Sequence, residues 1–322
     1  MSEHRERSSF HPGRIGKVAR SFWNSRKTKQ FISNRLNLAG LFFVSLVVFA
    51  AVFAAPIKIV VFDWSIPIQP FSIAPYSPTE QDLLNRLAAP SLAHPMGTDQ
   101  LGRDIFSRVL YGARISLRIA VTVVAITLSI GTVVGVTAGY FGGWIDEALM
   151  RLVDVLLSFP GLLLALVVAG ILGPSLNNIM LALAVVGWTQ YARVIRGETL
   201  SVKEKEYMQS AQLMGVSTPR LLIRHALPNV VTPVVVLATM DMAYVILGTA
   251  GLSFLGLGAQ PPTPEWGTML AGGRDYVTTA WWIVNFPGLA IMILVLGFNL
   301  LGDGLRDVLD PRDVGNVEGK GL

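Results

Sequence analysis

Several long stretches of this chain carry no charged residue, and they limit what it can fold into. Val155–Ala192 is the longest such stretch of its kind before a basic segment. A helix needs about 20 apolar residues to cross roughly 30 Å of hydrocarbon, so this stretch is too long for one crossing. It is interrupted by Gly173-Pro174-Ser175-Leu176-Asn177-Asn178, which predicts a hairpin of Val155–Leu172 and Ile179–Ala192. Leu38–Ala55 is a further run, extendable past Lys58 to Phe62. Ile119–Ile145, Val230–Leu257 (interrupted only by Asp241) and Trp281–Gly302 complete the set. The pattern predicts an all-α polytopic membrane protein with six transmembrane helices. Composition agrees: 52% of the 322 residues are hydrophobic and 15% are charged, against about 25% charged in soluble domains. Pro160 and Pro287 predict kinks, since each removes a helical hydrogen bond.

Lys and Arg set the expected orientation. Arg5, Arg7, Arg14, Lys17, Arg20, Arg26, Lys27, Lys29 and Arg35 precede the first run. Arg193, Arg196, Lys203, Lys205, Arg220 and Arg224 follow the fourth. The positive-inside rule then places the N-terminus, the 193–229 loop and the C-terminal tail in the cytoplasm. The basic tail is not patterned as a signal peptide and suits contact with anionic lipid rather than nucleic acid. The expected divisions are a basic tail over 1–37, a first span over 38–62 and an external segment over 63–114. A five-helix core over 115–305 holds the cytoplasmic loop at about 198–229, and a tail covers 306–322. There is no cysteine, which excludes disulfides and thiolate chemistry. His4, His11, His94 and His225 have no metal-ligand spacing. No catalytic group, metal or cofactor is expected.

Two external segments stand out. The first is rich in proline, which disfavours regular structure, and closes with HPMGTDQLGRD (94–104). From Ile105 the apolar residues Ile105, Phe106, Val109, Leu110 and Ala113 fall on one helical face, predicting an interfacial helix that leads into the second span. The second segment, Ser253–Ala280, contains QPPTPEWG (260–267). Trp266, Trp281 and Trp282 suit a membrane–water boundary.

The polar segment Glu206–Asn229 lies between two hydrophobic blocks. Leu200, Tyr207, Ala211 and Met214 recur at helical spacing. Gly215 is a stop signal, Thr218 an N-cap and Pro219 a first-turn residue. The second helix is expected to break at Pro228. This predicts a helix, a tight turn and a helix: a shape for a partner to grip, or a loop lying on the bilayer.

These residues resemble a known family. Gln209-Ser210-Ala211, then Gly215, then Leu227-Pro228, fall at the spacing of the EAA loop of ABC-transporter membrane subunits, with departures at Gln209, Ser210 and His225. GTDQLGRDIFSRVLYGARISL (97–117), AGYFGG (138–143), GLSFLGLGAQPPTPEWGTML (251–270) and FNLLGDGLRDVLDPR (298–312) are similar to permeases of the dipeptide/oligopeptide type, and to their "C" subunit. The resemblance implies a type I ABC importer permease fold with both termini cytoplasmic. It implies four kinds of partner: a sister permease, two ATPase subunits, an extracytoplasmic substrate-binding protein and the bilayer. The chain has no G-x-x-x-x-G-K-[ST] phosphate loop of its own. Glu206, Tyr207, Gln209, Ser210, Ala211, Gly215, Leu227 and Pro228 would form the ATPase-coupling loop, with helix 204–214 acting as a lever on the fifth span. Dipeptides are the first expected cargo, with longer peptides, nickel complexes or glutathione behind them.

Asp241 is an acid within a span, where charge is costly and marks function by default. It either lines the pathway or makes a structural hydrogen bond to a neighbouring span. Asp146, Glu147, Arg151 and Asp154 mark a cytoplasmic turn with a Glu147–Arg151 pair, and Asp303, Arg306, Asp307 and Asp310 mark the end of the last span. Gly131, Gly135 and Gly139 repeat at the small-residue spacing of close helix packing, toward the sister subunit or within the chain. A secondary transporter using Asp241 is the competing class, but the spans hold one buried acid and no evident repeat.

Overall fold

The computed structural model describes residues 26–61 and 64–309. Most of the basic tail, and the last tail beyond Leu309 with Asp310, lie outside the described residues. Helices α1 (Arg26–Ser33) and α2 (Arg35–Phe53) come first, followed by a two-stranded antiparallel hairpin, β1 (Ile57–Val61) and β2 (Trp64–Gln69). The remaining helices are α3 (Ile105–Phe141), α4 (Gly143–Leu157), α5 (Gly161–Leu172), α6 (Leu176–Lys203), α7 (Glu206–Leu213), α8 (Thr218–Leu221), α9 (Leu227–Phe254), α10 (Trp266–Gly273) and α11 (Trp282–Leu309). Among the described residues, five helical stretches are long and apolar enough to cross a membrane: α2, α3, α6, Thr218–Phe254 and α11. The pair α4 and α5, bent by 86°, brings the number to six if counted as one broken span.

The first span stops short of its extended reading. Helix α2 ends at Phe53, because the residue before Pro56 is driven out of the helical region. Arg114 then satisfies the exposed carbonyls: its Nε donates to Ala51 O at 2.9 Å, and its Nη2 donates to Val52 O at 3.0 Å and Ala55 O at 2.7 Å. Residues 57–61 pair as a strand instead of prolonging the helix, so the proline-rich segment is not irregular throughout. Pro67 lies opposite Lys58 in a two-stranded ribbon, where a missing N–H is tolerated at an edge.

The second span and the expected interfacial helix are one 37-residue rod, α3, about 55 Å long. Asp104 caps it by accepting from Ser107 N at 2.7 Å. It ends at Phe141, earlier than expected, because Gly142 and Gly143 both take positive φ (66° and 55°) and start a new helix. The third span is broken rather than kinked. Pro160 drives Phe159 out of the helical region, and the chain turns sharply between α4 and α5. Pro287 stays inside the unbroken α11. The fourth span is far longer than Ile179–Ala192, since α6 continues through Arg193 and Arg196 to Lys203.

Packing answers the question posed by the glycine stripe. A Cβ on Gly131 would strike the Cβ of Tyr191. One on Gly135 would lie 2.6 Å from the Ala192 carbonyl oxygen, and one on Gly139 would lie 2.8 Å from that of Arg196. The stripe therefore seats α6 within this same chain. Small residues do the same elsewhere: Gly40 of α2 meets Leu300 of α11, Gly297 of α11 meets Val44, and Gly302 of α11 meets Met240 of α9.

The end of the bundle remote from the α6–α9 connection is tied by tryptophans. The Trp266 indole donates to Val109 O at 3.0 Å, and the Trp282 indole donates to Thr98 O at 3.1 Å. Both rings are buried, whereas Trp281 is exposed. The expected boundary role therefore does not hold for Trp266 and Trp282. Each spends its polar tip on a backbone carbonyl of the loop or helix above it.

Gly135→Leu should cost about 1–3 kcal/mol by overpacking α3 against α6. Gly170→Leu, where a Cβ meets nothing within 4 Å, should be near neutral. Thermal unfolding in detergent would measure both, and equal midpoints would contradict the packing described.

Candidate functional site

The connection from α6 to α9 is built around its own small core. Val202, Met208, Ala211, Leu221 and Ala226 are buried together, with Tyr140 and Val216 against them. Met208 and Ala211 are spaced i,i+3 on α7, so one face of that helix is locked inward. Ala211 therefore packs inside the chain. The expected single stripe of Leu200, Tyr207, Ala211 and Met214 is not one face, because α6 stops at Lys203 and α7 starts afresh at Glu206. Tyr207 and Met214 point away from the core that Ala211 enters.

The outward face carries Glu206, Tyr207, Gln209, Ser210, Leu213 and Met214, all exposed. Leu213 is 89% exposed and Met214 76%. Large apolar groups this open at the tip of a polar loop have no partner within the described chain. Gln209 donates through Nε2 to Glu204 O at 3.2 Å, and the Tyr207 ring lies 6.4 Å from that of His225.

Gly215 closes α7 with a left-handed turn, φ +77°. Gly215 N donates to Gln212 O at 2.9 Å and Val216 N donates to Ala211 O at 3.2 Å. This doubled bond pattern is the Schellman stop, and it needs a residue without a Cβ penalty. The next helix begins one residue before the expected position. Ser217 is the N-cap residue, and Thr218 and Pro219 occupy the first turn.

The largest departure is at Pro228. Instead of breaking there, the chain passes from α8 through a wide turn, Leu222–Ala226, directly into α9. Leu227 N donates to Leu222 O, five residues back. Widening the helix by one residue places Leu227 and Pro228 at the first positions of α9, where a missing N–H costs least. Asn229 Nδ2 donates to His225 O at 2.6 Å and satisfies a freed carbonyl. Thr218–Phe254 thus runs without interruption from the loop into the fifth span.

Residues outside the sequence motif complete the site. Lys203 Nζ donates to Tyr140 O at 2.7 Å and sits 5.6 Å from the centre of its ring; Gln212 Nε2 donates to the Tyr140 hydroxyl at 3.4 Å. The end of α3 is thereby attached to both α6 and α7. Arg196 makes a two-pronged ion pair with Asp146 (2.5 and 2.6 Å), and Arg193 meets Asp154 at 2.6 Å, which fastens α4 to α6. The expected Glu147–Arg151 pair is present at 3.9 Å but exposed, a contribution of a few tenths of a kcal/mol at most. Asp303, Arg306 and Asp307 are exposed. Nothing local in the sequence connects Tyr140 to Gln212, since the contact exists only once α3 and α6 are packed.

Asp241 lies on the side of α9 that faces α6. Its Oδ2 accepts from the Tyr191 hydroxyl at 3.0 Å, and Tyr191 is buried. Gly248, two turns on, also faces α6, against Leu183. Asp241 is half-buried, and its Oδ1 has no hydrogen-bond partner among the described residues.

Residues 131–313 match the family of binding-protein-dependent transport system inner membrane components. The chain belongs to this family. It is 43% identical to the dipeptide transport system permease protein DppC of Alkalihalophilus pseudofirmus, over 88% of each chain. It is 42% identical to the di/tripeptide transport system permease protein DppC of Pseudomonas aeruginosa, over 91% of this chain and 92% of that one. It is 43% identical to the glutathione transport system permease protein GsiD of Pectobacterium atrosepticum, over 91% of each. The protein is a multi-pass permease subunit of an ATP-driven importer in the bacterial inner membrane. The family match begins at Gly131 and covers the whole α6–α9 connection of this permease.

Gly215→Val should strain the α7 stop by about 1–2 kcal/mol or more, because a β-branched residue is poorly tolerated at positive φ. The chain should still insert. Protease accessibility at 213–218 is expected to rise in membrane vesicles, and an unchanged digestion pattern would contradict the Schellman assignment.

Proposed function

We propose that this permease imports short peptides, dipeptides first, and that α7 with its flanking turn is the segment gripped by a separate ATPase subunit. The observation that carries this reading is the two-sided character of α7. Met208 and Ala211 lock it into the chain, while Tyr207, Leu213 and Met214 stand open on the other side. An exposed apolar tip on a fixed base suits insertion into a groove on a neighbour. The basic residues of this loop support a cytoplasmic position for it, and with it for both termini. The remaining partners are a sister permease, a second ATPase subunit and an extracytoplasmic binding protein that delivers the solute.

The mechanical reading follows from continuity. ATP binding would draw the ATPase subunits together and displace α7. Only the tight turn at Gly215–Ser217 separates α7 from the unbroken Thr218–Phe254 stretch, so the displacement passes into the fifth span with no long loop to absorb it. Tyr140 couples the same movement to α3. The bundle then switches between two arrangements, an equilibrium biased by a ligand bound elsewhere. Glu206, Gln209, Ser210 and Gly215 complete the gripped surface, and Leu227 and Pro228 fix where the lever joins the span.

Leu213→Asp is expected to leave expression and thermal stability unchanged, because the side chain is open. It should lower ATPase co-purification and peptide uptake about tenfold or more when the importer is reconstituted in proteoliposomes. Full uptake by this variant removes α7 from the coupling role. Uptake by the permease without any ATPase would instead favour the secondary-transporter class.

The cargo reading rests on the peptide-transport relatives and on Asp241, which we place on the pathway as a partner for a peptide ammonium group. Tyr191 fixes one carboxylate oxygen and leaves the other open. Asp241→Asn keeps an acceptor for Tyr191 and loses only the charge. It should weaken uptake of a free-amine dipeptide about tenfold, or ~1.4 kcal/mol, relative to the N-acetylated form. An unchanged ratio between the two would assign Asp241 a structural role alone.

A further inference from the structure

At the end of the bundle remote from α7, the loop 97–104 and the start of α3 meet the 260–283 segment around a cavity of about 60 Å³. Asp99, Gln100, Arg103, Arg108, Thr263 and Gly272 are among its lining residues. Arg103 and Arg108 are only 6% and 4% exposed. Arginine is almost never this buried unless its charge and its five N–H donors are met.

Asp99 meets part of that demand. Its Oδ1 accepts from Leu101 N at 2.9 Å and from Arg103 N at 3.0 Å. Its Oδ2 accepts from Arg103 Nε at 2.7 Å and lies 3.6 Å from Arg108 Nε. Both oxygens are therefore occupied. Arg108 Nη1 donates to Pro78 O at 2.7 Å and to Pro262 O at 3.4 Å. Nη1 and Nη2 of Arg103 and Nη2 of Arg108 have no protein acceptor among the described residues. The nearby acids are committed elsewhere. Glu265, which does not line the cavity, accepts from Gly267 N and Thr268 N at the start of α10, and Asp104 is paired with His94 at 3.0 Å and caps α3. Two guanidinium groups against one carboxylate leave one positive charge beside the cavity, with N–H forks still to be filled.

We propose that this cavity is a carboxylate-binding site, with Arg103 as its principal donor and Arg108 as its second. A guanidinium presents two parallel N–H bonds that match the two oxygens of a carboxylate. At about 60 Å³ the cavity has room for a carboxylate group with a few waters, so it admits the acid group and leaves the bulk of a larger carrier outside. That carrier is either a small free acid, such as the C-terminus of a peptide, or an acidic side chain of a protein docked on this face. The site is separate from the coupling loop and from Asp241, and it does not depend on which solute is transported.

The test uses the full chain purified with its partner subunits in lipid nanodiscs, without nucleotide, and acetate as the probe. Saturation-transfer NMR should detect acetate on the wild-type complex. Formate should displace it and chloride should not. Arg103→Gln should weaken the signal fivefold or more. Gly272→Leu should do the same by filling the cavity while leaving the Asp99 ion network untouched, since a Cβ there meets only the Gln100 amide nitrogen at 3.4 Å. L-alanyl-L-alanine displacing acetate when its C-terminal amide does not would assign the site to free acids. Displacement by the binding protein but by neither dipeptide would assign it to a docked side chain. A signal unchanged in Gly272→Leu, competition by chloride equal to that by formate, or no saturable signal at all would each overturn the proposal and leave the cavity to water. None of these readouts involves ATP or uptake, so they fail independently of the peptide-import reading.

Discussion

The approach of α3 to α6 is the contact on which the rest of the molecule depends. Gly131, Gly135 and Gly139 remove side chains along one line of α3, and the backbone of α6 from Trp188 to Thr199 fills the space. In lipid the apolar environment gives little drive for helices to associate, so closeness itself supplies the dispersion energy. Once the two helices are seated, Tyr191 is fixed beneath the stripe and reaches Asp241 on α9. Lys203 is placed over the Tyr140 ring, and Gln212 comes within reach of the Tyr140 hydroxyl. The polar ties at both depths are consequences of one packed interface.

The coupling role proposed for this loop asks for a stiff base and an open face, and the two demands conflict in a short helix. Here they are separated by residue position. The base is the cluster of Met208, Ala211, Leu221 and Ala226, which is buried within the chain. The open face is what remains of α7 after that burial. Stiffness on the far side comes from the wide turn at Leu222–Ala226, which carries the helix past Pro228 without a break. A proline that would ordinarily end a helix instead sits where the loop joins the span.

Much of the architecture was readable from charge-free runs. Their number and order, the hairpin at Gly173–Ser175 and the stop at Gly215 all follow from hydropathy and backbone rules that act locally. The misreadings share a cause. Trp266 and Trp282 looked like boundary residues because their amphipathic rings suit an interface, yet each met a backbone carbonyl distant in sequence. Pro228 looked like a terminator because a break and a widened turn both remove the same hydrogen bond. Ala211 and Met214 looked like one face because periodicity was carried across Glu204–Lys205, where the helix restarts. Of the candidate site, Gly215 and the loop itself were legible. Tyr140, Tyr191 and Leu213 were not, because their importance arises from partners on other helices, or from the lack of one.

The sequence by itself determined that the chain must be a bundle of membrane-crossing helices with one polar, helical excursion. An unbroken apolar run of about 20 residues fits a spanning helix, whereas a barrel strand would need only about 10 residues of alternating character. Tertiary structure alone decided which faces are spent on internal packing and which stay open, because a glycine stripe or a lone leucine has the same local chemistry in either setting. It also placed Arg103, Arg108 and Asp99 around one cavity, since only the meeting of two distant segments encloses charges that would otherwise be hydrated.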